Sequence, residues 1–223
     1  MRVTLSSHTP DISPCLMAAD VCVGKYGSLS KDGFNHAMSS GHDSILEHWS
    51  ATFHISGVSR ALTHQLVRHR VASYSQASQR YIKMDNFEYV VPKTIENAPD
   101  DIYNEYISLM SAIAGTYKSF IERGIPKEDA RYVLPNACTT EIVVTMNARE
   151  LRHFFSLRCC TRSQWEIREL ANEMRRLCIE VAPEIFKSSG PTCETLGYCR
   201  EAKSCGKKPK LNEIIRGCKN EDK

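Results

Sequence analysis

No uninterrupted apolar run of about 18 residues occurs in the 223-residue chain, so no membrane-spanning helix is expected. The opening segment Met1-Arg2-Val3-Thr4-Leu5-Ser6-Ser7-His8 has no apolar stretch of the kind a secretory leader carries. A cytoplasmic protein is therefore expected. There is no G-x-x-x-x-G-K-[ST] run and no G-x-G-x-x-G run, which removes the two glycine-loop routes to a bound phosphate. There is no H-E-x-x-H, and Leu46-Glu47-His48 lacks the second histidine of the inverted zinc motif. A nucleotide or flavin would have to be gripped by side-chain cations. Charge of one sign is scarce too. The net charge is +3, and residues 200–223 hold eight Lys/Arg against four Asp/Glu, which leaves 21 basic and 22 acidic residues over 1–199. A near-neutral body does not carry the basic footprint of a nucleic-acid binder.

What is present is a foldable composition. Apolar residues make up 42% and charged residues 25%, enough for a sizeable core. Ten cysteines would suit a disulfide scaffold, but such scaffolds are usually under about 80 residues, so reduced thiols are expected. The first 25 residues read as an irregular start followed by a helix with Leu16, Ala19 and Val23 on one face. Ser30 and Asp32 open a short helix that stops at Gly41. Residues 50–56 alternate around Phe53 and Ile55 as a strand that Gly57 ends, and helical spacing follows from Val58 to Leu66. Residues 71–81 read as a polar loop, and Phe87, Tyr89 and Val91 as a strand closed by Pro92.

Residues 100–123 carry the stripe Ile102, Tyr106, Leu109, Ile113, Tyr117, Phe120, stopped by Gly124 and expected to face the core. Pro126 starts a short helix, Glu141 to Met146 form a strand, and Asn147 caps a helix over 148–157. Ser163-Gln164-Trp165-Glu166 reads as a capping box before a long amphipathic helix. Ser188-Ser189-Gly190-Pro191 breaks the pattern, so two parts are expected, 1–190 and a basic, Cys-rich tail at 191–223. The irregular alternation of strands and helices predicts an α+β fold with a mixed, largely antiparallel sheet flanked by helices.

The densest chemistry lies in 68–81, Arg-His-Arg-Val-Ala-Ser-Tyr-Ser-Gln-Ala-Ser-Gln-Arg-Tyr. Three adjacent cationic or titratable residues end a helix, where they fan out by about 100° each. Arginine offers a planar, two-pronged grip on a phosphate or an imide edge. Alone, Arg68-His69-Arg70 could equally complement a helix C-terminus, worth about 0.3–1 kcal/mol each.

The whole string resembles the R-H-R-x7-S signature of the flavin-dependent thymidylate synthases, with Ser78 as the serine. The resemblance extends to four other ordered stretches. His42-Asp43-Ser44-Ile45-Leu46-Glu47-His48 is similar to an upstream H-x-[ST]-x-x-E-H element, and Ala130-Arg131-Tyr132-Val133-Leu134-Pro135 to an A-R-x-x-L-P element. Asn147-Ala148-Arg149 with Leu157-Arg158, then Gln164-Trp165-Glu166-Ile167-Arg168, follow in order. The resemblance covers about residues 1–187.

It implies reductive methylation of dUMP to dTMP, with methylenetetrahydrofolate as carbon donor, FAD as bound cofactor and NADPH as reductant, in a homotetramer whose sites draw on several chains. Residue by residue, it implies flavin contacts at Ser44, Arg68, His69, Arg70, Gln76, Asn147, Arg149 and His153. It implies dUMP contacts at Gln65, Leu66, Val67, Arg68, Gln76, Ala77, Ser78, Gln79, Arg80, Arg131 and Arg158. Arg158 is implied as the catalytic residue, a guanidinium that polarises the uracil ring and favours its N3-ionised form. Gln76 stands where glutamate is common and His153 where an amide is common. Gln76 can bind but cannot act as a base.

The remaining candidates have plainer readings. His48, His54 and His64 read as partly buried, hydrogen-bonded histidines. Cys138 reads as a small apolar filler and Cys159-Cys160 as part of a pocket wall. Cys193, Cys199 and Cys205 are each six apart, with Cys218 beyond. Four thiolates could hold zinc, but the paired knuckles of structural sites are missing, so free thiols on a basic extension are preferred and no metal is assigned. The rival to the enzyme reading is a nucleic-acid-binding protein that uses the basic 68–80 segment and the Cys-rich tail.

Overall fold

In a computed structural model of the chain, residues 1–221 are described, with side chains through residue 216. The order is β1 (Arg2–His8), α1 (Ser13–Cys22), α2 (Lys31–Ser39), a 3-10 turn (Asp43–His48), β2 (Ser50–Ser59), α3 (Arg60–Leu66), β3 (Ala72–Gln76), α4 (Lys93–Glu96), α5 (Asp100–Glu122) and α6 (Lys127–Ala130). A second 3-10 turn (Arg131–Val133) leads to β4 (Thr139–Asn147), α7 (Ala148–Arg158), α8 (Trp165–Val181), α9 (Pro183–Phe186), α10 (Thr192–Leu196) and α11 (Leu211–Glu221). The strands form one antiparallel sheet in the order β1-β2-β4-β3. This is the mixed fold with an antiparallel sheet that the alternation of elements predicts. Among the described residues no helix is long and apolar enough to cross a membrane.

Two compact units are distinguishable. The first holds Met1–Thr4, His54–Arg68 and Tyr74–Val144; the second holds Leu5–Phe53, His69–Ser73 and Thr145 onward. In the first, Phe87, Met110 and Cys138 are buried together, with Met84, Tyr89, Tyr106 and Leu134 packed against them. In the second, Trp49 meets Phe186 edge-on at 5.2 Å between ring centres, and Phe155 meets the same ring at 6.0 Å. Leu151, Phe154, Ile167, Leu170, Met174 and Cys178, from α7 and α8, are buried in this unit too. Burying such side chains is worth roughly 1.5–3 kcal/mol each.

Several local expectations need correction. Residues 2–8 are a strand, not an irregular start: β1 ends the sheet order, so it has one neighbour, and its only aliphatic residues, Val3 and Leu5, are weak markers of period two. Residues 72–76 are likewise an edge strand, β3, whose burial alternates through Ala72, Tyr74 and Gln76 while Ser73 and Ser75 are exposed. Small and polar residues hide that alternation. Gly57 does not end β2 but lies within it, at φ +66°, where a side chain would be strained. The strand expected at Phe87–Val91 shrinks to a single bridge between Tyr89 and Cys138. Val23 lies past the end of α1 and is exposed.

The cap of α8 is Gln164, whose side chain accepts from the Glu166 and Ile167 amides, rather than Ser163. On α5 only Met110 and Tyr117 are buried, and Ile102 and Leu109 are exposed at 47% and 54%. The stripe is therefore only partly core. Its stop is as expected: Gly124 takes φ +83°, and the Ile125 and Gly124 amides reach back to Phe120 and Ile121.

Candidate active site

Helix α7 organises the second unit's chemistry. Asn147 closes β4 in an extended conformation, and its side chain accepts from the Glu150 amide at 2.9 Å. That cap starts the helix. Glu150, Phe154 and Arg158 then follow at intervals of four, along one face. All three meet His69. Glu150 Oε1 lies 3.1 Å from His69 Nδ1, the Phe154 ring stands edge-on at 4.9 Å, and Arg158 Nε donates to His69 Nε2 at 3.1 Å. A guanidinium has no acceptor, so Nε2 is the unprotonated nitrogen and Nδ1–H donates to Glu150. The imidazole is neutral.

Burial is the main cause holding His69 below the ordinary imidazole value of 6.5; Arg158 and His153 push the same way, against Glu150. Burial also lowers the Arg158 guanidinium from its usual range. The sign for stability follows. Above 6.5 the ring is neutral in both states and stability is full; as pH falls from 6.5 toward the lower folded value, the unfolded chain gains a proton that the folded chain resists, and that stability is lost. The urea midpoint of the wild type is therefore expected to drop more between pH 7.5 and pH 5.5 than that of His69→Gln. Equal drops would count against the buried neutral ring.

The neighbouring face of α7 carries Arg149 and His153. With Asn147, Glu150, Arg152, Asp43 and Glu47 they line a cavity of about 580 Å³ in the second unit. Arg149 is ion-paired with Glu47, and Arg152 donates to Ser188 Oγ at 3.1 Å. Ser44 is exposed on the 3-10 turn beside Asp43, and Arg70 is exposed beyond α3. Neither belongs to the cavity wall. His69, Glu150 and His153 are the one trio among the described residues with ligand atoms within 4.8 Å of one another. With Nδ1 protonated and the Arg158 cation on Nε2, this trio is assigned no metal.

In the first unit, the Gln76 amide donates to Thr63 Oγ1 at 2.9 Å and to Thr140 Oγ1 at 3.4 Å. The Ala77 amide donates to Glu141 O, and Ala77 O accepts from Arg60 at 2.6 Å. The Ser78 carbonyl accepts from the Tyr81 and Ile82 amides, and its hydroxyl from the Arg80 amide at 3.3 Å. Ala77, Ser78 and Gln79 share a cavity of about 420 Å³ with Arg60. Arg80 and Arg131 do not line it. Arg80 pairs with the Glu128 carboxylate at 3.0–3.1 Å, and Arg131 donates to the Glu128 carbonyl at 3.0 Å. Leu66 is a core residue whose carbonyl accepts from Tyr74, Val67 and Arg68 are exposed, and the Gln65 amide donates back to Ala61 O at 3.5 Å.

Arg60 and Glu150 escaped the reading of the sequence. The signal for Arg60 is a cation at the first position of a helix, against the dipole, which means something else holds it. The signal for Glu150 is an acid on the apolar face of α7. The plainer readings fare unevenly. Cys138 is fully buried and its thiol is pushed up to about 11 by burial, as fits a filler. His48, His54 and His64 are exposed instead of buried, and His54 meets Glu141 at 3.4 Å. Cys159 is buried in the core, and Cys160 lines a different cavity, considered below.

An α+β chain with a guanidinium seated on a neutral imidazole, beside a donor-rich cavity, has the makings of an enzyme for anionic substrates. Residues 4–184 match the model of a family described as thymidylate synthase complementing protein, and the chain belongs to that family. A flavin-dependent thymidylate synthase of Geobacter sulfurreducens is 48% identical over 97% of this chain and 98% of its own length. The one of Clostridium tetani is 46% identical over 96% of each, and that of Pyrococcus furiosus 49% identical over 72% of this chain and 69% of its own.

Proposed function

We propose that the chain methylates dUMP to dTMP, with methylenetetrahydrofolate as carbon donor, FAD as its resident flavin and NADPH as reductant. The catalytic work is assigned to residues 1–190. The observation that carries the reading is Arg158 braced by a buried, neutral His69, itself held by Glu150. A guanidinium fixed in this way stabilises negative charge on an ionising uracil imide without having to reorganise.

The donor set fits a flavin. Asn147, Arg149, Arg152 and His153 stand on one 580 Å³ cavity, and the diphosphate and carbonyl edge of FAD need donors. Arg149 is occupied by Glu47, but both side chains are about half exposed, and such pairs are worth only about 0–1 kcal/mol. An arriving anion can take the guanidinium at little cost. The same holds for Arg80 and Glu128, both about half exposed, so Arg80 is assigned to the dUMP phosphate with Arg131 behind it. Asn147 uses its carbonyl in the cap and offers its amide donors.

Ser78 is assigned to binding and orienting: its hydroxyl accepts from the Arg80 amide, and a nucleophilic serine needs a base beside it. Gln76, locked by Thr63 and Thr140, holds the strand end that presents 77–80. His69 is assigned to bracing Arg158 rather than to direct contact with the ring system. The flavin, when bound, supplies the hydride. The working form is assigned as a homotetramer, a reading that the exposed Ile102 and Leu109 of α5 support. The nucleic-acid alternative needs a broad basic surface, whereas residues 1–199 hold 21 basic against 22 acidic residues.

The test is direct. Purified protein should be yellow, release FAD on denaturation, and liberate tritium from dUMP labelled at the methylated carbon only with NADPH and methylenetetrahydrofolate present. Protein that takes up no added flavin and releases no tritium would refute the assignment.

A further inference from the structure

The cysteines of the C-terminal part do not behave as scattered thiols. Cys160 lies two residues past the end of α7, Cys193 lies in α10, Cys199 pairs with Lys210 in a single parallel bridge, and Cys205 sits in the loop between them. All four line one cavity of about 250 Å³ in the second unit, together with Arg162, Arg200 and Glu201. Cys218, the fourth thiol suggested by spacing alone, has its side chain outside the described residues. Cys160 joins the three tail thiols from a distant stretch of chain.

One further observation points to a ligand, and it is the loop that carries Cys205. Every residue from 201 to 209 is exposed, and the segment Glu201-Ala202-Lys203-Ser204-Cys205-Gly206-Lys207-Lys208-Pro209 has almost nothing apolar to bury. A short polar loop without a core needs a cross-link to hold one shape.

We propose that Cys160, Cys193, Cys199 and Cys205 form a four-thiolate centre for a thiophilic metal, and that an iron–sulfur cluster fits it better than a single zinc ion. Four cysteines are the usual ligand set of both. The choice between them rests on spacing. A tetrahedral zinc site, with Zn–S near 2.3 Å, draws its sulfurs to about 3.8 Å from one another. Among the described residues no three cysteine sulfurs lie within 4.8 Å of one another. A cluster spreads its four thiolates over separate irons and so needs wider spacing. Loading releases the four thiol protons to solvent as sulfur–metal bonds form, with ferrous and ferric iron in equal amounts and inorganic sulfide as the co-reactants, so that no further oxidant is needed. Arg162 and Arg200 on the cavity wall offset the remaining negative charge. The inference does not depend on the catalytic reading, since its readout is metal and not turnover.

The test uses the full chain purified without oxygen. Iron, zinc and acid-labile sulfide are measured per chain, before and after incubation with equal ferrous and ferric iron plus sulfide or with zinc. Iron with matching sulfide supports the cluster. Zinc without sulfide supports a four-thiolate centre whose sulfurs close in around one ion. In either case Cys205→Ser, at an exposed position, should retain at least tenfold less metal than the parent, and Cys22→Ser should retain as much. In unmutated protein the four cysteines should resist alkylation while the exposed Cys22 reacts. Protein that holds neither metal after both incubations overturns the proposal, as does a Cys205→Ser variant with undiminished metal.

Discussion

Replacing Arg158 by alanine is expected to lower turnover by about 10²–10³-fold, the usual loss when one preorganised donor to a developing anion is removed. The colour of bound flavin should be retained, because Asn147, Arg149 and His153 stand on another face of α7 and keep their own supports. A second readout separates this role from a merely structural one. Arg158 is among the groups that depress the His69 titration, so its removal should move that titration upward, as followed by imidazole proton shifts across pH. Lysine at 158 should rescue the charge but not the geometry, since a single ammonium cannot brace against His69 and also present a planar edge. Turnover of Arg158→Ala within a few-fold of wild type would remove the residue from the chemistry.

Phe154→Ala should cost about 3–5 kcal/mol of stability, the range for deleting a buried aromatic ring. Against a total of about 5–15 kcal/mol for a typical domain, that is a large fraction. Phe154 is fully buried, packs edge-on against His69 at 4.9 Å and lies 5.8 Å from Phe155. The cavity would open directly behind the imidazole, so activity at low temperature should fall along with the denaturant midpoint. Phe154→Leu, which refills most of the volume, should recover most of both. A midpoint for Phe154→Ala equal to that of Phe154→Leu would show that the ring is not the prop inferred here.

How far the sequence could be read depended on the kind of signal. Caps and stops were legible because they are local: Ser30 before α2, Asn147 before α7 and Gly124 after α5 each act on amides within a few residues. The edge strands β1 and β3 were not, because an edge strand buries too little apolar surface to mark its period. The α5 stripe misled for the opposite reason: a helix can be amphipathic toward something other than its own chain's core, and Ile102 and Leu109 are exposed. Motif order singled out Arg158 and its neighbours as candidates. It could not show that Glu150 and Arg158 hold opposite nitrogens of one imidazole, since the residues involved are 81 and 89 positions from His69. The cysteine centre shows the same limit. Spacing within the tail favoured free thiols, and it could not show that the fold brings Cys160, from the end of α7, to the cavity of Cys193, Cys199 and Cys205.

The Asn147 cap carries a consequence for how this enzyme can vary. The helical repeat that begins at this cap decides which side chains look toward the cavity and which clamp the imidazole. The two faces are thus geared together. Adding or deleting a single residue between 148 and 157 would turn everything downstream by about 100°, unseating the clamp and the cavity wall in one stroke. A point replacement in that stretch disturbs one contact at a time; a change of length disturbs both faces together.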